Sequence, residues 1–111
     1  MRGLLKLKTI KFAEDFSKLD KEYFTSIRES SKNLKSGNVY EIKTPTKEFK
    51  AALVTQSKVR LCEIPEKTLL QDTCTQSRIQ AVNKLCEFYP KLTEASPVRL
   101  LWFKHVTEEA S

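Results

Sequence analysis

The chain has 111 residues, of which 40% are hydrophobic and 31% charged; this suffices for one buried core and excludes a disordered tail. Lys and Arg number 20 against 14 Asp and Glu, a formal charge of +6, and a field of that sign attracts polyanions. No apolar run approaches the length of a membrane span, and lysines interrupt the basic start too early for a signal peptide.

In chain order, residues 4–12 alternate apolar and polar with one slip near Thr9, which predicts a strand with a bulge. Phe12, Phe16, Leu19 and Tyr23 recur at helical spacing and predict a short helix laid on a core. Residues 24–28 are a short β-type run. A polar stretch leads to Gly37, where a turn entering a strand calls for positive φ, and the strand is Val39–Lys43. Thr44, Pro45 and Thr46 signal a turn, and two β-rich runs follow at residues 49–55 and 58–64. Pro65 opens a helical turn over residues 66–70. Ser77 and Gln80 fit a capping box. The helix they start shows Ile79, Val82, Leu85, Cys86 and Tyr89 on one apolar face, and Pro90 stops it. Residues 98–106 have a continuous apolar centre with Trp102 and Phe103 in the core, as in a strand buried on both faces or one closing a barrel.

Most strands follow one another directly, which argues for an antiparallel or mixed sheet. The expected fold is α+β: a curled sheet or barrel of about five or six strands with two or three flanking helices, as a single domain over residues 1–111. Three cysteines, Cys62, Cys74 and Cys86, cannot all pair, none stands in a CxxC pair, and His105 is the sole histidine. A zinc site needs four ligands, so no metal and no cofactor is expected. Free thiols in a reducing cytoplasm are the default, with a Cys74–Cys86 bridge left open.

The run Lys21-Glu22-Tyr23-Phe24-Thr25-Ser26-Ile27-Arg28, the turn Ser36-Gly37-Asn38-Val39, the acid Asp72 ahead of the last helix, and the Phe88-Tyr89-Pro90 ending of that helix together resemble the ASCH family of PUA-like domains. The order of elements is closest to the small bacterial enzymes of that family that hydrolyse N4-acetylcytidine. The motif departs from the family pattern: the family's glycine falls on Lys21, its lysine on Tyr23 and its Glu-or-Thr position on Ser26, while Arg28 is kept. The resemblance implies a PUA-like curled sheet and a partner that is RNA or a nucleoside.

An amidohydrolase of this kind needs a hydroxyl nucleophile, a base and a group to steady the oxyanion. Ser26 is the candidate nucleophile and Asp72 the acid/base. The activating lysine is missing from its motif position, and Lys21 lies about 6–7 Å too early along a strand. The plain alternative for Ser26 is a strand serine with no chemistry. Binding asks less: Arg28 presents a planar fork suited to phosphate or a base edge, beside Thr25. Tyr23 and Tyr40 offer faces for stacking, and Lys32, Lys35 and Lys43 belong to a basic stretch, with Lys47 and Lys50, that could track a backbone. The reading this favours is an RNA- or nucleoside-binding module around Arg28, Ser26 and Asp72. Behind it stand an amidohydrolase on an acetylated cytidine-type nucleoside and a protein-interaction domain without nucleic acid.

Overall fold

A computed structural model describes residues 8–29 and 34–106; Lys32 and most of the expected first strand lie outside the described residues. In order, the elements are β1 (Thr9–Lys11), a 3₁₀ turn (Ser17–Asp20), β2 (Tyr23–Arg28), β3 (Val39–Lys43) and β4 (Glu48–Arg60). A second 3₁₀ turn (Leu61–Glu63), α1 (Glu66–Thr73), α2 (Arg78–Phe88) and β5 (Pro97–His105) follow. The fold is α+β: one mixed five-stranded sheet in the order β1-β3-β4-β5-β2, with two helices. Of the paired strands β1 and β3 run parallel and the rest antiparallel, which makes the sheet mixed, one of the two arrangements expected.

The strand β5 sits between β4 and β2 and carries buried side chains toward both sides, Val98, Leu100, Leu101 and Phe103. It does not close a barrel, because β1 and β2 are the two edges of the sheet. The sheet nevertheless curls until these edges approach. The rings of Phe12, just after β1, and Phe24, in β2, meet edge to face at 6.2 Å. Arg28 Nη2, at the end of β2, donates to the carbonyl of Lys11 at 3.1 Å. A side chain bridges this seam where a ladder of backbone bonds would have closed a barrel.

The hydrophobic residues form two clusters. One, with Phe12, Leu19, Phe24, Tyr40, Ile42, Leu53 and Phe103, is held by stacked Phe24 and Phe103 rings 5.2 Å apart. The other, with Ile27, Leu61, Leu69, Ala81, Leu85 and Leu100, seats the helices.

Four expectations are corrected. The periodic run from Phe12 to Tyr23 is not a helix but an irregular path with one 3₁₀ turn. It must carry the chain from one sheet edge to the other, and an α-helix advances only about 1.5 Å per residue against about 3.3 Å for extended chain. The run at 49–55 and the start of the run at 58–64 join in one strand that ends at Arg60, because polar Gln56 and Ser57 are paired with Leu101 and Leu100 of β5, while residues 61–63 leave the strand as a 3₁₀ turn. A register shift between Leu53 and Thr55 marks a bulge, with Val54 between them exposed. Ile79 is 75% exposed; it lies about 120° around α2 from buried Leu85, and Ala81 takes its place in the core. The turn after Pro65 continues as α1 to Thr73, so Asp72 stands in a last helical turn and caps no helix N-terminus.

Other features follow the sequence closely. The Ser77 hydroxyl caps α2 by accepting from the Gln80 amide at 3.2 Å. The Gln80 side chain turns to the Gln76 amide, at 3.0 Å, instead of closing the box on Ser77. Gly37 has φ +93°, as the turn before β3 requires. Cys62, Cys74 and Cys86 are all free, so the Cys74–Cys86 bridge does not form.

Candidate functional site

Where the curled sheet fails to close, a cavity of about 160 Å³ opens. Lys11, Phe12, Ala13, Phe16 and Lys18 wall it from the β1 side, and Ser26, Ile27 and Arg28 from β2. The helices cover it with Asp72 and Thr73 from the end of α1 and with Lys84, Leu85, Phe88 and Tyr89 from the end of α2.

Asp72 is 3% exposed. A carboxylate there is doubly disfavoured, by burial and by the partial negative charge at a helix C-terminus. Two donors offset this on the same oxygen. Lys18 Nζ donates to Asp72 Oδ1 at 3.0 Å, and Thr25 Oγ1 donates to it at 2.6 Å. Among the described residues Asp72 Oδ2 has no hydrogen-bond donor. Lys18, a residue 7% exposed, also places its ammonium 5.5 Å from the ring centre of Phe12 and 5.2 Å from that of Phe16, contacts that favour a cation.

Ser26 and Arg28 form a second unit. Arg28 Nε donates to Ser26 Oγ at 2.8 Å, which leaves the hydroxyl proton available to the cavity. Arg28 Cζ sits 5.1 Å from the Phe12 ring centre. Burial pushes the Arg28 guanidinium below its ordinary pKa, only partly countered by Tyr89 and Asp72. Burial pushes the Tyr89 phenol above its ordinary value, and the nearby Arg28 opposes that shift. At the rim, Lys84 is neutralised by Glu14 at 2.5 Å and Glu87 at 3.5 Å.

The structure thus brings together Ser26, Arg28 and Asp72, with Thr25 bonded behind them. It does not bring in the others. Lys21 is exposed and outside the cavity, because its backbone closes the 3₁₀ turn on Lys18. Tyr23 is 53% exposed at the far end of β2, with Lys104 Nζ 5.7 Å from its ring centre. Tyr40 is buried in the core, its hydroxyl accepting from the Lys35 amide at 2.7 Å, so it has no free face for stacking. Lys35 and Lys43 lie away from the cavity; Lys43 pairs with Glu48 at 3.6 Å and Lys47 with Asp20 at 2.7 Å, which weakens the basic stretch as a continuous track. Lys32 lies outside the described residues.

Lys18 is the residue that sequence reasoning missed. A lysine does stand beside the acid and a hydroxyl, but it reaches them from an irregular segment before the motif. The available signal was a lysine wedged between Phe16 and Leu19, at a position where an amphipathic element turns inward. The aromatic walls Phe12, Phe16 and Phe88 were also missed as cavity residues. Among the described residues no cluster of His, Cys, Asp and Glu could hold a metal ion.

No family model matches this chain, and no solved structure matches it. An uncharacterised protein of Methanocaldococcus jannaschii is 39% identical over 67 residues, which are 57% of this chain and 59% of that protein. The match therefore spans less than two thirds of that relative's length. Among the described residues no helix is long and apolar enough to cross a membrane.

Proposed function

We propose that the seam cavity binds one nucleobase, presented by a nucleoside or by an unpaired position of RNA. The observation that carries this is the convergence of Ser26, Arg28 and Asp72 on a single ring-sized cavity walled by Phe12, Phe16, Phe88 and Tyr89. Size decides between a base and a strand: a cavity of about 150 Å³ holds one benzene-sized ring, whereas drug-sized ligands need about 300 Å³ or more. Polarity then favours a base over a hydrocarbon. Asp72 Oδ2 offers an acceptor for an amino group, while the Ser26 hydroxyl and Arg28 offer donors for a ring nitrogen or carbonyl. The formal charge of +6 draws a polyanion toward the site. This fits the expectation from the ASCH resemblance. Titration of single-stranded and hairpin RNA at two salt concentrations tests it. Salt-weakened binding that falls in Arg28→Gln is expected; no binding at low salt, or binding indifferent to salt, contradicts it.

The contact of Lys18 with Asp72 favours a second reading, hydrolysis of an acetylated amino group on the base. In that reading Ser26 Oγ attacks the amide carbonyl and gives its proton to the Asp72 carboxylate. Asp72 passes that proton to the departing amine, and water then releases acetate from the serine ester. The Lys18 ammonium holds the carboxylate in place, and Arg28 steadies the negative oxygen. Incubation with an acetylated cytidine should show turnover that falls about 100-fold in Ser26→Ala and in Asp72→Asn. Absence of turnover in the wild type, or equal rates in all three proteins, removes this reading.

A further inference from the structure

The charges lining the cavity do not balance. Of its four cations, Lys18 is matched by Asp72 and Lys84 by Glu14 and Glu87. Among the described residues Arg28 has no carboxylate partner and its Nη1 has no acceptor; its Nε is held by Ser26 and its Nη2 by the Lys11 carbonyl. Lys11, exposed at the rim, likewise has no carboxylate partner among the described residues. The bond from Arg28 to the Lys11 backbone ties these two unmatched cations to one another across the seam. A half-buried guanidinium with no carboxylate in contact is costly to hold. The donors left on Nη1 suit a phosphate oxygen, and the loss of basicity that burial imposes on Arg28 is what an anion would reverse.

We propose that the ligand is a nucleotide and not a free nucleoside, with its phosphate seated on Arg28 Nη1 and the Lys11 ammonium at the mouth of the seam. This rests on the base-binding reading above and adds the phosphate to it. The phosphate subsite is separate from the Asp72 side of the cavity, where Lys18 is already engaged. A base in the ring-sized cavity and a phosphate at its rim are the two ends of one nucleotide unit. A free 5′-monophosphate and the phosphorylated end of an RNA strand share that chemistry.

Calorimetric titration of the full chain with the four ribonucleosides, their 5′-monophosphates, a 5′-phosphorylated trinucleotide and inorganic phosphate alone tests the proposal. At least one monophosphate is expected to bind 10-fold or more tightly than its nucleoside. Lys11→Gln should erase most of that ratio while leaving nucleoside affinity within about 3-fold, whereas Arg28→Gln, which also removes a donor to the base, should weaken both ligands and the monophosphate more. Lys11→Gln, a change at an exposed side chain, keeps the test meaningful if Arg28→Gln folds poorly. A stronger response to the trinucleotide than to the monophosphates would support the proposal with an RNA end as its source. Equal affinities of nucleoside and monophosphate overturn the phosphate subsite and leave base binding standing. Inorganic phosphate binding as tightly as every monophosphate overturns base binding instead, and so does the absence of any response.

Discussion

Lys18 Nζ lies 3.0 Å from Asp72 Oδ1, with the two side chains 8% and 3% exposed. They are 54 residues apart in sequence. Breaking a buried pair on one side leaves an uncompensated charge at a cost of about 3–5 kcal/mol. Lys18→Met is therefore expected to lower unfolding free energy by about that amount in urea denaturation. Combining it with Asp72→Asn should recover more than half of the loss, because the orphaned charge is then gone. A single variant as stable as the wild type would show that the pair is not formed.

The segment between β1 and β2 is tied down by Asp15, which accepts from the Thr44 hydroxyl and from the Thr46 amide at 3.3 Å. These bonds, led by the Thr44 hydroxyl, hold the Asp15 carboxyl below its ordinary pKa. A depressed folded pKa contributes stability above the unfolded value, about 3.8 to 3.9, and loses it as pH falls through the folded value. Asp15→Asn should therefore flatten the acid limb of the stability curve and leave stability near neutral pH lower than in the wild type. Thermal melts at a series of pH values between neutrality and acid would show it, and coincident acid limbs would contradict it.

Tyr89 gives the opposite limb. Its folded pKa is raised, chiefly by burial. Its contribution is fully present below the unfolded value of about 10 and is lost as pH rises through the folded value, because the unfolded chain ionises first. Tyr89→Phe should reduce the fall in stability on the alkaline side. Denaturation of both proteins on either side of pH 10 measures the difference, and parallel curves would rule it out.

Gly37 occupies φ +93°, and a Cβ built there meets nothing within 4 Å. Gly37→Ala is therefore a test of backbone strain alone, with an expected cost of about 1–2 kcal/mol. A neutral substitution would mean that the turn relaxes. The Gly37 amide, which donates to the Leu53 carbonyl at 2.7 Å, would then be held by the β3–β4 pairing more than by the glycine.

The parts of this molecule that were legible in sequence are those governed by neighbours in the chain. Gly37, the bounds of β3, the Ser77 cap and the stop of α2 at Pro90 all follow from local chemistry. The seam was not legible, because it depends on where β5 inserts. By lying between β4 and β2, β5 sends β1 and β2 to opposite edges, and curling brings Lys11 back to Arg28. Ser26 and Arg28 could be named from the run at residues 21–28, and Asp72 from its place ahead of the last helix, and the fold lines one cavity with all three. Lys18 was hidden by the failure of helical periodicity between Phe12 and Tyr23, which drew attention to the apolar positions and away from the lysine between them. Tyr40 shows the converse, a side chain suited to stacking whose hydroxyl and ring are both committed to the fold.

Base binding in the seam is tested most directly by amide chemical shifts of isotope-labelled protein during titration with the ribonucleosides and their 5′-monophosphates. Saturable shifts are predicted for Ser26, Ile27 and Arg28, for Asp72 and Thr73, and for Phe88 and Tyr89, with little change along β3. Shifts confined to surfaces away from these residues, or none at millimolar ligand, would contradict the account.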